Sequence, residues 1–259
     1  MGPHSERGWE VPAYRIEEFG PKTSKYCVAI PVINEGDRIR TQLARMSALP
    51  LHLDVVIGDG GSSDGSLAAD YLKSHKVRAL LTKTGPGKLS AQLRMLFAWA
   101  LSQGYAGIIA IDGNNKDGVE AISDFAAKLD EGYDFIQGSR YIPGGHEENT
   151  PMDRKLGVMF LHAPMLSIGS GFRYTDTTNG FRAFSARYLL DPRVQPFRDI
   201  FSTYNLHFYL SVRAPRLGFR VVEIPVSRVY PNAGPTPSKI GGFRSKWEII
   251  LQLMRAALG

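Results

Sequence analysis

The sequence predicts an α/β domain with a mostly parallel central sheet flanked by helices, followed by a C-terminal amphipathic helix. Three observations carry this. Short apolar runs alternate with helical stretches of about ten to fifteen residues, the pattern of βαβ units. The runs Tyr26–Val32, Asp54–Gly58 and Ile108–Ile111 each stop abruptly at Asn, Asp or Gly, as buried strands do where they emerge at a surface. A chain of 259 residues, 43% hydrophobic and 22% charged, can bury the core that such a sheet needs.

The elements follow in order. Tyr26–Val32 reads as the first buried strand, and Asn34-Glu35-Gly36-Asp37 as the turn into a helix ending near Ala48, before Pro50. Asp54–Gly58 is a second strand, closed by Asp59-Gly60-Gly61-Ser62-Ser63-Asp64-Gly65 and followed by a helix to about Ser74. Val77–Leu81 is a third strand, with Lys83-Thr84-Gly85-Pro86-Gly87-Lys88 behind it and a helix from about Leu89 to Gln103. Ile108–Ile111 ends in Asp112-Gly113-Asn114-Asn115-Lys116-Asp117, two carboxylates among amides and a lysine. A helix to about Glu131 and a strand at 134–137 come next, then Gly138-Ser139-Arg140-Tyr141. Residues 146–151 read as a polar, mobile loop, and a mixed helical segment leads to Thr175–Arg182. A helix around 205–214, a strand at 220–226, a Pro- and Gly-rich loop at 230–242 and a final helix from about Phe243 complete the chain.

The tips after Ile33, Ile57 and Ile111 all fall on one edge of a parallel sheet, where open α/β sheets bind ligands. A carboxylate at such a tip can hold a hard divalent cation, and the cation a diphosphate. The net charge of +6 favours anionic partners. Nucleic acid is set aside, because no basic stripe interleaved with aromatics is present. Cys27 is the only cysteine, so no disulfide can form within the chain; it reads as a small buried hydrophobe in a reducing, cytoplasmic setting. The polar first twenty residues carry no secretory signal, and no apolar stretch is long enough to span a membrane.

Together the motifs Pro31-Val32-Ile33-Asn34-Glu35, Asp59–Gly65, Asp112-Gly113-Asn114, Gly138-Ser139-Arg140-Tyr141, Asp176-Thr177-Thr178-Asn179-Gly180-Phe181-Arg182 and Val222-Glu223-Ile224-Pro225 resemble the family 2 glycosyltransferases of the GT-A fold, a Rossmann-like sandwich. Within it they are most similar to the polyprenyl-phosphate sugar synthases. The resemblance implies an extension at 1–22, a catalytic domain at 23–230, and a loop with an amphipathic helix at 231–259. It implies transfer of a hexose from a UDP-, GDP- or CDP-linked donor to a polyprenyl phosphate, with inversion. Two alternatives stay open: transfer to a soluble or glycan hydroxyl, or a catalytically weak nucleotide-sugar-binding protein.

The same resemblance assigns residues. Pro31, Asn34, Glu35, Asp59, Gly60, Lys88, Asp112, Gly113 and Asn114 would surround the nucleotide-sugar. Asp112, Asp176, Arg140 and Arg182 would form the catalytic group, with both arginines on phosphates, which their planar forks suit. Asp112 and Asn114 stand at the family's metal position, implying Mg²⁺ or Mn²⁺. Asn114 is a neutral ligand there, so either Asp117 replaces it or Lys116 supplies part of the positive charge. Arg154, with Lys155 beside it, His162 and Lys239 fall on the acceptor side. Asp176 and Arg182 could instead form a structural ion pair, and His162 could be a core histidine. Trp247, Ile250, Leu251, Met254 and Leu258 share one face of the last helix, flanked by Lys246 and Arg255. Such a face either packs on the domain or lies on the inner face of a membrane as a peripheral contact.

Overall fold

The structure is a computed structural model, and it describes residues 8–231 and 251–256. An eight-stranded sheet runs through the molecule in the order β1-β4-β3-β2-β5-β8-β6-β9. These strands are β1 (Tyr14–Glu18), β2 (Tyr26–Val32), β3 (Asp54–Asp59), β4 (Val77–Lys83), β5 (Gly107–Ala110), β6 (Phe135–Ser139), β8 (Arg182–Ser185) and β9 (Val221–Pro225). The chain runs outward through β2, β3 and β4, then returns to place β5 on the other side of β2. The strand order therefore reverses between β2 and β5, and such a switch point is where open α/β sheets form a binding crevice, at the C-terminal tips of the strands.

Alternation in the strands divides the core. In β2, Cys27 and Ala29 enter one apolar cluster, while Tyr26, Val28, Ile30 and Val32 enter the other. The first cluster is built on α3 (Leu89–Ser102), buried over nearly its whole circumference because α8 (Asn205–Arg216) covers its outer side. The second is covered by α1 (Asp37–Ala48), α2 (Ala69–Ser74) and α4 (Ile122–Asp130). Cys27 is fully buried, and burial pushes its thiol pKa up, as its reading as a core hydrophobe requires.

Three departures from the sequence reading matter. The mostly parallel sheet contains two antiparallel strands. β1, in the stretch read as an extension, pairs with the edge strand β4 from Tyr14↔Lys83 to Glu18↔Ala79. β8, whose first residue Arg182 ends a motif to which the sequence reading gave no strand, inserts antiparallel between β5 and β6. Finally, residues 146–151 are not simply loop: β7 (His146–Glu148) pairs in parallel with β10 (Ser227–Val229) in a small second sheet. The other edge of β10 meets the loop after β5, where Val229 N–H donates to the Lys116 carbonyl at 2.8 Å and Gly118 N–H to the Ser227 carbonyl at 3.0 Å.

The mixed helical segment is α5 (Met152–Gly157), a π-helical turn (Val158–His162) and α6 (Ala163–Ser170) in continuous succession. It leaves Met152, Leu156, Met159, Phe160 and Ile168 exposed, Phe160 at 73% and Ile168 at 85%. α7 (Ala186–Leu190) follows β8. Of the expected C-terminal helix, 251–256 is helical. Lys239, Lys246, Trp247, Ile250 and Leu258 lie outside the described residues.

Candidate active site

The loops after β2 and β3 are tied to each other before they reach the crevice. Asn34 takes a positive φ of 49°, its N–H donates to Ser62 Oγ at 3.0 Å, and its Oδ1 accepts from Ser63 N–H at 2.8 Å. Gly36, at φ 55°, donates its N–H to Asp64 Oδ2 at 2.8 Å. Asp59 folds back on its own turn, accepting from the N–H groups of Gly61 and Ser62 at 3.1 and 2.7 Å. Beneath them the buried Gln92 donates from Nε2 to the carbonyls of Val32 and Gly58 at 2.9 and 3.0 Å, joining the two strand tips. The loop after β5 is anchored through Asn115, whose N–H donates to Gln42 Oε1 of α1 at 2.8 Å.

A cavity of about 1080 Å³ opens where these tips converge. Pro31, Glu35, Gly60, Lys88, Asp112, Gly113, Asn114, Arg140, Arg154, His162 and Arg182 line it, so most of the residues singled out from sequence share one hollow. Asn34, Asp59, Asp117 and Asp176 are not among its lining residues. Asn34 and Asp59 shape the loops, and the two other carboxylates are buried behind the wall. Lys239 lies outside the described residues. The lining is strongly basic: Arg38, Lys83, Lys88, Lys116, Arg140, Arg154, Arg182 and Arg228 face only the carboxylates Glu35, Asp112 and Asp153. Such a cavity suits a polyanion.

The two arginines assigned to phosphates are turned to other work. Arg182 is 1% exposed, and its guanidinium donates to the carbonyls of Asn179, His207 and Thr177 and to Ser211 Oγ, at 2.7 to 3.0 Å. It binds β8 to α8. Arg140, not Arg182, is the partner of Asp176: Nε and Nη2 donate to Oδ2 and Oδ1 at 2.6 and 3.0 Å in a bidentate pair that is buried on both sides. The alternative of an Asp176–Arg182 ion pair gives way to Asp176–Arg140, because Arg182 is taken up by three carbonyls and a hydroxyl.

Sequence reasoning missed Arg228. It falls between the strand expected at 220–226 and the loop expected from 230 and received no reading, yet its Nη1 donates to both oxygens of Asp117 at 2.7 and 2.6 Å and its Nη2 to Asp112 Oδ2 at 3.2 Å. Asp117 is wholly buried by this contact, while the Asp112 side chain keeps 26% exposure toward the cavity. Burial, the largest single effect, would raise the Asp112 pKa, but Arg228 together with His207 and Lys116 outweighs it and holds the carboxyl below its ordinary range. At Asp117 burial prevails over Arg228, and the neighbouring Asp112 charge adds to the rise. Burial, with Arg228 next, pulls the Lys116 pKa down. Asn114 Nδ2 also donates to Asp112 Oδ2 at 3.3 Å. The set Asp112, Asn114 and Asp117 assigned to a metal is thus largely occupied by the chain's own cation.

Two histidines reach the cavity. His162 sits on the π-helical turn, where burial lowers its pKa; its Nδ1 is buried without a hydrogen-bond partner. His207, on α8, was not singled out from sequence. Burial, then the Arg182 charge, pushes its pKa down to about 3, and its Nδ1 is likewise unpartnered. Gly180 makes room for Asp112: a Cβ added there would stand 2.6 Å from Asp112 Oδ1.

Comparison with known proteins agrees with this geometry. Residues 27–190 match the family model described as Glycosyl transferase family 2. The chain is 28% identical over 211 residues to the polyprenol monophosphomannose synthase of Mycolicibacterium smegmatis, spanning 79% of this chain and 77% of that one. It is 27% identical over 219 residues to the undecaprenyl-phosphate mannosyltransferase of Micrococcus luteus, spanning 82% and 86%. Among solved structures, glucosyl-3-phosphoglycerate synthase from Mycobacterium tuberculosis, in complex with Mn²⁺, uridine diphosphate and phosphoglyceric acid, superposes with a TM-score of 0.63 at 15% identity. That match covers 92% of this chain and 78% of that one and establishes the GT-A fold. No helix among the described residues is long and apolar enough to cross a membrane. With a sheet, a switch-point cavity and a family model that agree, the chain belongs to glycosyl transferase family 2 and is a nucleotide-sugar-dependent glycosyltransferase.

Proposed function

We propose that this enzyme moves a hexose from a UDP-, GDP- or CDP-linked donor onto a polyprenyl phosphate, inverting the anomeric carbon. One observation carries the acceptor choice. The wall of the basic cavity that bears Arg154, Gly157, Val158, Leu161 and His162 is the same helical segment that turns Met152, Leu156, Met159, Phe160 and Ile168 to solvent. An acceptor with a phosphate head and an isoprenoid chain needs both surfaces, the head in the cavity and the chain along the apolar face. The two mannosyl transferases quoted above, named for polyprenol and undecaprenyl phosphate, support the same reading. The exposed face also gives the enzyme a peripheral contact with a membrane.

The chemistry asks little proton transfer of the protein. An acceptor phosphate oxygen is already anionic, so it forms the bond to the anomeric carbon as the bond to the donor diphosphate breaks. The electron pair leaves on the nucleoside diphosphate. What the residues must do is position and compensate charge. Pro31, Glu35 and Gly60 are placed to border the nucleoside, with Lys88 nearby, and Asp112, Gly113 and Asn114 to border the sugar and diphosphate. Arg154 and His162 face the acceptor phosphate. Arg140 and Asp176 fix the wall between them through their ion pair, and Arg182 fixes it from behind.

The test is transfer from each radiolabelled nucleotide-sugar to a short-chain polyprenyl phosphate, followed by partition into organic solvent. Label in the organic phase supports the proposal. Label only in water-soluble product would assign a hydroxyl acceptor, which needs a general base; of the two candidates, Asp176 and His162, His162 lines the cavity.

A further inference from the structure

The position that this fold family gives to a divalent metal is filled here by side chains. A hard cation such as Mg²⁺ or Mn²⁺ needs an octahedron of oxygens, carboxylates foremost. Of the four carboxylate oxygens on Asp112 and Asp117, three accept hydrogen bonds from Arg228. Asn114 turns its amide N–H toward Asp112 Oδ2 and its Oδ1 toward the Lys116 N–H, at 3.3 Å in each case. Among the described residues no group of three or more His, Cys, Asp or Glu side chains is arranged to hold a metal ion. A dication entering between Asp112 and Asp117 would meet the guanidinium that already neutralises them.

That guanidinium is fixed by the backbone as well as by its ion pairs. Arg228 forms an isolated antiparallel bridge with Asp117, and the hydrogen bonds of Val229 and Gly118 to the 116–227 segments lock β10 against the loop after β5. Lys116 lies in the same register, 6% exposed, with its Nζ 4.8 Å from the centre of the Tyr230 ring; the Arg228 guanidinium is 5.7 Å from the same ring. Both cations line the cavity beside Asp112. The sequence offers the same picture from the other side, since an amide and an ammonium stand where a second and third oxygen ligand would be wanted.

We propose that Lys116 and Arg228 provide the counter-charge for the donor diphosphate, so that this enzyme binds its nucleotide without a divalent metal. The claim rests on the donor reading above and concerns how that donor is held. In the transfer step the departing β-phosphate oxygen gains the electron pair of the broken bond to the anomeric carbon. An arginine fork and a lysine ammonium stabilise that charge by hydrogen bonds, as an ion would by coordination. Because the cations are part of the chain, their position is set on folding and does not depend on the metal content of the medium.

Isothermal titration of UDP, GDP and CDP into the enzyme, in EDTA and in Mn²⁺ or Mg²⁺, tests this. The expected result is that the nucleotide that binds does so in EDTA, with Kd changed by less than about threefold on adding metal. Lys116→Gln should weaken binding in EDTA by at least about tenfold while its melting temperature stays near that of the unaltered enzyme. Arg228→Met should do the same if it folds; Lys116→Gln carries the test if it does not. Binding that needs Mn²⁺ or Mg²⁺, or that survives Lys116→Gln in EDTA, overturns the proposal and leaves the donor reading standing. Binding of no nucleoside diphosphate under any condition removes the donor reading and this proposal together.

Discussion

The Nη1 of Arg228 donates to both carboxylate oxygens of Asp117, at 2.7 and 2.6 Å, across 111 residues of chain. Asp117 has no exposure and Arg228 little, so neither charge can fall back on water. Breaking a buried pair by removing one partner leaves the other charge uncompensated, at a cost of about 3–5 kcal/mol. Asp117→Ala should therefore lower the unfolding free energy by about that amount in urea titration. A loss below about 1 kcal/mol would mean that the pair is open to solvent.

Asp176 is held bidentately by Arg140 and is itself fully buried. Asp176→Asn should reduce transfer and also destabilise the fold by about 3 kcal/mol, because the guanidinium loses its carboxylate partner. Arg140→Lys should recover stability only in part, since an ammonium cannot reproduce the two parallel bonds. A purely chemical role for Asp176 would instead show as lost turnover with unchanged urea midpoint.

Gly180 abuts Asp112 so closely that any side chain displaces the carboxylate. Gly180→Ala should weaken nucleotide-sugar binding by about tenfold, read by titration calorimetry, with a loss of stability of about 1–2 kcal/mol. If affinity is unchanged, the position of Asp112 is not what the donor reads.

The pKa of His207 is pushed down to about 3, from an ordinary value near 6.5. The fold therefore refuses a proton that the unfolded chain accepts. Stability from this residue is complete above pH 6.5 and falls as the pH drops toward 3. For one such histidine the loss between pH 7 and pH 5 is about 2 kcal/mol. Urea unfolding at the two pH values should show that difference in the unaltered enzyme and a smaller one in His207→Gln. Because His207 stays neutral across this range, its removal should not shift an acidic limb of the pH–rate profile near 6.5.

Phe160 is 73% exposed on the apolar face beside the cavity. Phe160→Ser should leave the melting temperature within about 2 °C, since little packing is lost. It should reduce co-sedimentation with anionic vesicles and raise KM for a long-chain polyprenyl phosphate. Equal sedimentation of the two proteins would remove the membrane contact from this face.

Much of this was legible because apolar runs ending in polar loops are a strong one-dimensional signal. The first parallel strands and the meeting of Pro31, Glu35, Gly60, Asp112 and Asn114 around one hollow follow from that signal and from βαβ handedness. β8 was not legible: four residues beginning with Arg182 show no alternation long enough to read. Nor was the choice of partner for Asp176, because Arg140 and Arg182 are equivalent in type, and only the carbonyls gathered by β8 and α8 decide which is free. Arg228 was hidden for a related reason. The strand Ser227–Val229 is too short to show alternation, and the partners of Arg228 lie more than a hundred residues upstream.

β1 gives the sheet a guarded margin. It covers β4, whose residues Val77 to Leu81 are buried, with a strand carrying Glu17, Glu18 and Arg15. Shortened genes that begin at Tyr26 would strip that cover and leave a bare row of backbone donors and acceptors open to pairing with another molecule. Expression designs for this protein should keep Tyr14 to Glu18 and place tags ahead of them, or risk a product that self-associates through its first edge.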